Sequence, residues 1–131
     1  MAASLIPWQG LLDRHRDLFA HLDDAASLGI AGLGDETMVV CRRVEGAGWR
    51  ASTQPFRGVD KAGVDLLIVL DRPAARKLED GGHEDLLPVL RREIRLGQAI
   101  CFCPSSHQTL AARGFQEIME QFGMATMARS Q

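Results

Sequence analysis

The chain is short of aromatic residues and of lysine. It has no tyrosine, aromatic side chains make up 5% of its 131 residues, and lysine occurs only at Lys61 and Lys77. Proteins that bind single-stranded nucleic acid stack bases on aromatic rings and present a basic surface, whereas this chain has a net charge of −2. We therefore expect no nucleic-acid partner. The preference for arginine over lysine favours a bacterial origin.

Long hydrophobic runs are missing as well. The longest purely aliphatic run is Leu66–Leu70, and a helix that spans a bilayer needs about 20 apolar residues, so we expect no membrane association. Residues 1–9 carry no basic side chain, whereas a secretory signal begins with a basic segment. The three cysteines are too few for a disulfide scaffold. Together these features predict a cytoplasmic protein in a reducing compartment.

The apolar periodicity predicts helices and strands in the order α-β-β-β-α-β-α within a single globular domain, residues 1–131. The predicted elements are a helix over 7–28, a hairpin of strands over 37–45 and 49–53, a buried strand over 64–70, a helical turn over 74–79, a helix over 84–96, a strand over 99–103 and a helix over 105–122. The second half has the pattern of a right-handed βαβ unit. The predicted fold class is α/β or α+β, with a small mixed sheet of about four strands packed by helices.

The most informative segment for chemistry is the predicted junction between strand 99–103 and helix 105–122. It contains Cys101, Cys103, Ser105, Ser106 and His107. A helix start favours anions and lowers the pKa of a nearby thiol. This pattern predicts that Cys103 is a nucleophile or redox thiol with His107 as its general base, and that Ser105 and Ser106 bind an anion.

If strands 64–70 and 99–103 are parallel, their carboxyl ends meet at one edge of the sheet, where α/β proteins bind ligands. Asp71 and Arg72 follow the first of these strands and would then face the same crevice as Cys103. Asp71 is expected to complete the catalytic group and Arg72 to bind ligand.

Structural alternatives account for the same residues. Cys101 and Cys103 alternate with Phe102, so both point to one face of the strand, where thiols are common core residues. Ser105 with Gln108 has the spacing of a helix capping box. Asp71 before Pro73 is also a common start of a helix.

Known catalytic motifs are missing from the sequence. It has no nucleophile elbow and no dinucleotide-binding fingerprint. The segment 99–106 resembles the strand-to-helix junction of thioredoxin-like proteins, but in that fold a further β-β-α portion follows, whereas residues 107–131 have the pattern of one helix and a tail. The spacing of cysteine and histidine does not match structural zinc sites. We assign no family and expect neither a metal nor a cofactor.

Three functions remain open at this point. The leading hypothesis is a non-catalytic accessory or regulatory protein that binds a protein partner, with a possible homodimer, through Trp8 and Leu11 on the first helix. The second is a thiol-dependent enzyme or a redox or metal sensor centred on Cys103 and His107. The third is a sensor of a small anion or nucleotide at the start of helix 105–122.

Overall fold

A computed structural model describes residues 5–80 and 85–123 of the chain. The helices and strands, in chain order, are α1 (Leu5–Arg14), α2 (Arg16–Phe19), β1 (Ser27–Gly32), β2 (Thr37–Val44), β3 (Gly48–Pro55), a 3-10 turn (Val59–Lys61), β4 (Leu66–Leu70), α3 (Arg72–Asp80), α4 (Leu86–Arg95), β5 (Ala99–Phe102), α5 (His107–Ala112) and α6 (Gln116–Gln121).

The strands form one mixed sheet in the order β3-β2-β1-β4-β5. β1 is parallel to β4, and the other neighbouring strands are antiparallel. The α-helices pack on one face of the sheet, where their apolar side chains form the main core with Leu28, Val39 and Ile68 of the strands. The mixed sheet packed by helices confirms the predicted fold class, with five strands where about four were expected.

The additional strand is β1, in a segment where the prediction of one helix over 7–28 is wrong. The helical structure ends at Phe19, and β1 begins at Ser27. β1 is buried along its whole length and pairs with a strand on each side. A Cβ atom at Gly29 would lie 3.0 Å from Val64 and 3.2 Å from Leu67. Glycine therefore allows the close packing that this central strand requires, although glycines in the sequence indicate a break.

The predicted hairpin is confirmed as β2 and β3, and a side chain of α1 bonds two backbone groups on the outer edge of β3. Gln9 accepts a hydrogen bond from the backbone N–H of Ala51 at 2.8 Å and donates one to the carbonyl of Trp49 at 3.1 Å. Unpaired backbone groups of an edge strand would otherwise be free to pair with another chain. At Trp49 and Ala51, the Gln9 amide thus makes the hydrogen bonds that a neighbouring strand would otherwise make.

The prediction that the strands over 64–70 and 99–103 are parallel is wrong. Leu67 pairs with Phe102 and Leu70 with Ala99, so β4 and β5 run in opposite directions. Between them lie α3 and α4, which return the chain to the end of the sheet where β4 finishes. As a result, the C-terminal end of β4 lies beside the start of β5, and the C-terminal ends of the two strands are a strand length apart.

The face of the sheet away from the α-helices, here called the open face, is covered in part by the segment 56–64. Ala62 and Val64 of this segment form a second apolar cluster with buried side chains of β1, β2 and β4. Val69, Phe102, Phe56 and Val59 pack at its margin and are only partly buried. The cover is therefore incomplete, and it leaves apolar side chains in contact with solvent.

The predicted helix over 105–122 is two helices, α5 and α6, separated at Gly114. Gly114 has a φ of +87°, in the left-handed region that favours glycine. Around this break, the N–H of Asp23 donates to the carbonyl of Arg113 at 3.0 Å. Arg113 also donates to the carbonyl of Ala25 at 2.6 Å. These contacts attach the α5–α6 turn to the segment that leads from α2 to β1.

Candidate functional site

Cys101 and Cys103 point toward the main core, as the alternation in the sequence predicts. Both are partly buried and pack against that core, and neither forms a disulfide. Burial raises the pKa of Cys101 to about 12, and the neighbouring Cys103 contributes to this shift. Burial also raises the pKa of Cys103. A thiol with a raised pKa holds little thiolate at neutral pH, which is the reverse of what a nucleophile needs.

We expect the thiols of the folded protein to react slowly with an aromatic disulfide reagent at pH 7.5. Because the pKa of each thiol is raised, the rates should increase with pH well beyond the usual thiol pKa of about 8.5. Cys103 should react first, since Cys41 is buried with a pKa of about 12 and Cys101 has a similar value. A Cys103→Ala variant identifies the fastest phase. A native thiol that reacts fully within seconds below pH 7 would contradict this expectation.

The two serines at the junction make structural hydrogen bonds. Ser106, not the predicted Ser105, caps α5 and accepts from the N–H of Thr109 at 3.0 Å. Ser105 donates to the carbonyl of Asp65 at 3.1 Å and so joins this loop to the start of β4. His107 is the first residue of α5, and its side chain lies outside the described part of the structure.

Asp71 and Arg72 do not join the junction residues, because β4 and β5 are antiparallel. Asp71 accepts a hydrogen bond from the N–H of Ala74 at 2.9 Å, which makes it the cap of α3. Arg72 lines a cavity of about 450 Å³ between α3 and the β1–β2 turn. The structure therefore separates Asp71 and Arg72 from Cys103 by the length of β5. In addition, the Asp71 side chain already caps α3.

Trp8 and Leu11 lie in the main core, where only 1% and 3% of their surfaces are exposed. The helix that carries them packs against β3 and α4. The pattern in the sequence thus located an apolar face correctly, but the chain covers that face itself. A partner could reach these two side chains only if α1 left the sheet.

An exposed apolar patch lies on the open face instead, on β4 and β5. We call it the β5 patch and define it as Val69, Ile100 and Phe102. Ile100 pairs with Val69 in the sheet, Phe102 is the next residue on the same face of β5, and Ile100 is 55% exposed. The run from Leu96 to Ser106, which contains β5, has no charged residue. The sequence contains a signal for this patch, because residues 99–102 are all apolar and such a strand presents apolar side chains on both faces of the sheet.

A histidine and an aspartate meet at a second place. Nε2 of His15 lies 2.8 Å from Oδ1 of Asp85, the residue that caps α4. Burial acts to raise the pKa of Asp85, but hydrogen bonds from His15 and from the N–H of Leu87 outweigh it, so this pKa is lowered. His15 lines a cavity of about 410 Å³ in which Arg14 and Arg16 are balanced by Asp17 and Glu117. The pair joins the α1–α2 junction to the start of α4.

A third concave site, here called the arginine cavity, lies between the first two helices and the β2–β3 hairpin. Its volume is about 410 Å³. It is lined by Leu12, Asp13, Arg16, Ala20, Arg43, Ala47, Gly48, Trp49 and Arg50. The three arginines come from α2, β2 and β3, so no local motif in the sequence could have indicated this site.

Two kinds of structure are absent from the described residues. Within residues 5–80 and 85–123, no group of three histidine, cysteine, aspartate or glutamate residues is arranged to hold a metal ion. In the same part of the chain, no helix has both the length and the apolar character needed to cross a membrane.

Comparison with known proteins gives only distant likenesses. No known protein family and no curated protein matches the chain. A solved structure of a conserved hypothetical protein from Thermus thermophilus, suggested to be a sterol carrier protein, is 18% identical over 93% of this chain and 82% of that chain, with a TM-score of 0.47. The UbiJ-SCP2 ubiquinone synthesis protein is 14% identical over 92% of this chain and 93% of that chain, with a TM-score of 0.46.

A third solved structure, the stereoselective inverting sec-alkylsulfatase Pisa1 from Pseudomonas sp., is 13% identical, with a TM-score of 0.38. The match covers 82% of this chain but only 15% of that enzyme. At such identities and TM-scores, these likenesses assign neither a family nor an activity.

Proposed function

We propose that this protein is a non-catalytic accessory protein that acts through protein–protein contacts, and that the β5 patch joins two copies of the chain. The observation that carries the proposal is the exposed Ile100 beside Val69 and Phe102 on the open face. An aliphatic side chain that is 55% exposed at the centre of an apolar group gains free energy when a partner covers it.

Charge favours a second copy as the occupant. The uncharged run from Leu96 to Ser106 would place no like charges together when two identical patches meet around a two-fold axis. A partner with a strongly charged surface would find no complementary charge on this strand. The commonest symmetric assembly of soluble proteins, the two-fold dimer, requires only one self-complementary patch.

The states of the predicted catalytic residues also favour a binding role over thiol chemistry. Burial raises the pKa of both junction thiols, and Ser105 and Ser106 are occupied in structural hydrogen bonds. Asp71 lies at the other end of the sheet. The thiol-dependent activity that the sequence left open therefore has no supporting geometry in the described residues.

We expect Ile100→Asp to convert a dimer into a monomer. A charge at the centre of the patch would have to be desolvated on association, which costs more than an apolar contact returns. Sedimentation equilibrium should give about twice the chain mass of 14.4 kDa for the wild type and the chain mass itself for the variant. Circular dichroism should show that both are folded.

Val44→Asp is the matched control. Val44 is 46% exposed and lies at the end of β2, which β1 and β4 separate from β5 in the sheet. This substitution adds the same charge at a similar exposure, so the variant should remain dimeric. A wild type that stays monomeric at every concentration, or equal dissociation of both variants, would show that the β5 patch does not join two copies.

A further inference from the structure

The parallel strands β1 and β4 end side by side, and the chain leaves them in opposite directions. Gly32 pairs with Leu70 at the end of this ladder, and the N–H of Leu33 donates to the carbonyl of Leu70 at 2.8 Å. From β1 the chain turns into β2, whereas from β4 it continues through α3 and α4 to β5, on the other side of the pair. Open α/β sheets bind ligands where neighbouring parallel strands lead away to opposite sides. In this fold that point lies between the β1–β2 turn and α3, and not between β4 and β5.

A cavity of about 450 Å³ occupies this place, and we call it the switch-point cavity. Its wall combines residues 32–35 of the β1–β2 turn with four residues of α3, namely Arg72, Ala75, Arg76 and Glu79. Positions three and four residues apart are neighbours on a helix surface, so these four residues form one continuous face. Ala74 and Leu78 of the same helix are buried in the main core. The face of α3 toward the cavity is therefore distinct from the face that holds α3 on the sheet.

The carboxylate of Asp35 has a defined place in the switch-point cavity. The N–H of Asp35 donates to the carbonyl of Gly32 at 3.0 Å, and a Cβ atom at Gly32 would lie 2.5 Å from Oδ2 of Asp35. Side chains alternate along a strand, and Ile30 belongs to the main core, so position 32 faces the α-helices. The Asp35 carboxylate therefore lies over the end of β1, on the side of the sheet that carries α3.

The charges on the cavity face of α3 are ordered from basic to acidic. Arg72 is the first residue of the helix, Arg76 follows one turn later, and Glu79 lies near the end. This order is the reverse of the one that complements a helix dipole. Asp71 and Lys77 follow the favourable order, but they are used in the cap of α3 and in an ion pair with α4. The stability of α3 therefore does not explain the charges on its cavity face.

The two guanidinium groups are available to a ligand. In the part of the chain that the structure describes, neither Arg72 nor Arg76 forms an ion pair with an acid, and both side chains are exposed. Guanidinium groups bind carboxylates through paired, charge-assisted hydrogen bonds. A carboxylate can accept about four hydrogen bonds, so Asp35 and Glu79 can bind an ammonium group in addition to their contacts within the chain.

The dimensions of the cavity fit a small ligand that carries both charges. Arg76 and Glu79 are three residues apart on the helix, which places their Cβ atoms about 5–6 Å from each other. Leu33, which is 64% exposed, and Ala75 add apolar surface. Cavities that bind small molecules have volumes of about 300–1,000 Å³ and combine an apolar wall with a few polar groups. The switch-point cavity, at about 450 Å³, meets both conditions.

We propose that the switch-point cavity binds a free α-amino acid with an apolar side chain. The guanidinium groups of α3 contact its carboxylate, the acids Asp35 and Glu79 contact its ammonium group, and the apolar wall contacts its side chain. A wall that carries both signs of charge suits a zwitterion, whereas a ligand with only negative charge would be repelled by the two acids. The cavity lies beside α3 and the β5 patch lies on the open face, so this site is independent of the proposed dimer.

The experiment is calorimetric titration of the full chain with L-leucine, L-methionine and L-phenylalanine, each in a separate titration. At least one of them should bind saturably. The amide of that amino acid lacks the carboxylate, and its N-acetyl derivative lacks the ammonium group, so each should bind at least about tenfold more weakly. An N-acetyl derivative or an amide that binds as tightly as the amino acid would overturn the proposal, as would the absence of saturable binding by all three.

Arg76→Gln and Asp35→Asn should each weaken binding of the amino acid at least about tenfold, because each removes one charge-assisted contact. Arg95→Gln and Asp60→Asn are the matched controls, since they remove the same charges from exposed positions outside the cavity. They should change the affinity less than about twofold, because exposed charges are screened. Equal weakening by variants and controls would indicate an effect of net charge only and would contradict the assigned site.

Gly32→Ala tests the position of the Asp35 carboxylate without changing any charge. The added Cβ atom would overlap Oδ2 of Asp35, so the carboxylate must rotate away. Because the overlap is with the end of a flexible side chain, the variant should remain folded by circular dichroism while its affinity for the amino acid falls at least about tenfold. A folded variant with unchanged affinity would show that Asp35 does not contact the ligand.

Discussion

Replacement of Gly114 by alanine is expected to lower the free energy of unfolding by about 3 kcal/mol or more. A Cβ atom at this position would overlap the backbone carbonyl oxygen of His21. The overlap is with backbone, so no side-chain rotation relieves it, and forced packing of this kind costs about 1–3 kcal/mol. The φ of +87° adds about 1–2 kcal/mol for any residue with a Cβ atom.

The destabilisation should extend beyond Gly114, because hydrogen bonds join the turn between α5 and α6 to the segment before β1. If the turn moves away from His21, it strains the bond from Asp23 to Arg113 and that from Arg113 to Ala25. Typical domains are stable by only about 5–15 kcal/mol, so this single methyl group removes a large share of the total. Urea unfolding followed by circular dichroism measures the change.

Gly97→Ala is the matched control for Gly114→Ala. Gly97 has a φ of +80°, close to that of Gly114, but nothing lies within 4 Å of a Cβ atom placed there. The control should therefore show only the backbone cost, about 1–2 kcal/mol. The difference between the two variants measures the contact with His21. Equal losses would mean that the α5–α6 turn does not pack against this carbonyl.

Trp8→Ala is expected to destabilise the fold by about 3–5 kcal/mol, the range for removal of a large aromatic side chain from a core. Trp8 is 1% exposed and packs between the sheet and the helices. The sequence placed the same residue at a partner interface, where truncation would abolish association and leave the fold intact. Unfolding curves and sedimentation of the same variant distinguish the two roles.

Trp8→Phe and Leu96→Ala make this test specific. The indole nitrogen of Trp8 is buried with no hydrogen-bond partner among the described residues. Phenylalanine keeps most of the apolar volume and removes that unpaired donor, so it should cost much less than alanine. Leu96 is 54% exposed, and its truncation should change stability by less than about 0.5 kcal/mol. A stable Trp8→Ala variant would restore α1 as a candidate contact surface.

The sequence predicted those elements whose signals are local. The apolar run over residues 38–41 and the glycine-rich turn over 45–48 predict the hairpin of β2 and β3. For α4, the positions of Leu86, Leu87 and Leu90 predict the buried face, and the C-terminal Gly97 has the positive φ expected of a helix cap. The buried strand β4 follows from its continuous apolar run. In each case the residues that carry the signal lie within the element itself.

Features that depend on distant residues could not be predicted in this way. β1 is a strand because β2 and β4 pair with it on both sides, and its own glycines indicate a break. Likewise, the direction of β5 depends on how α3 and α4 return the chain, which no local pattern specifies. The predicted crevice at the ends of β4 and β5 failed for that reason, although Asp71 directly follows β4 as the sequence predicts and Cys103 lies one residue beyond β5.

The amide of Gln9 has a consequence for how this protein can assemble. Fibrous growth of β-sheets needs a receptive edge at each end of the sheet, so that every molecule added presents a new edge to the next. In this protein two backbone groups at one edge of the sheet, the carbonyl of Trp49 and the N–H of Ala51, are already bonded by a side chain of its own chain. A further strand could pair along the whole of β3 only if it displaced the Gln9 amide, so growth of the sheet by strand addition is opposed at this edge as long as α1 stays in place.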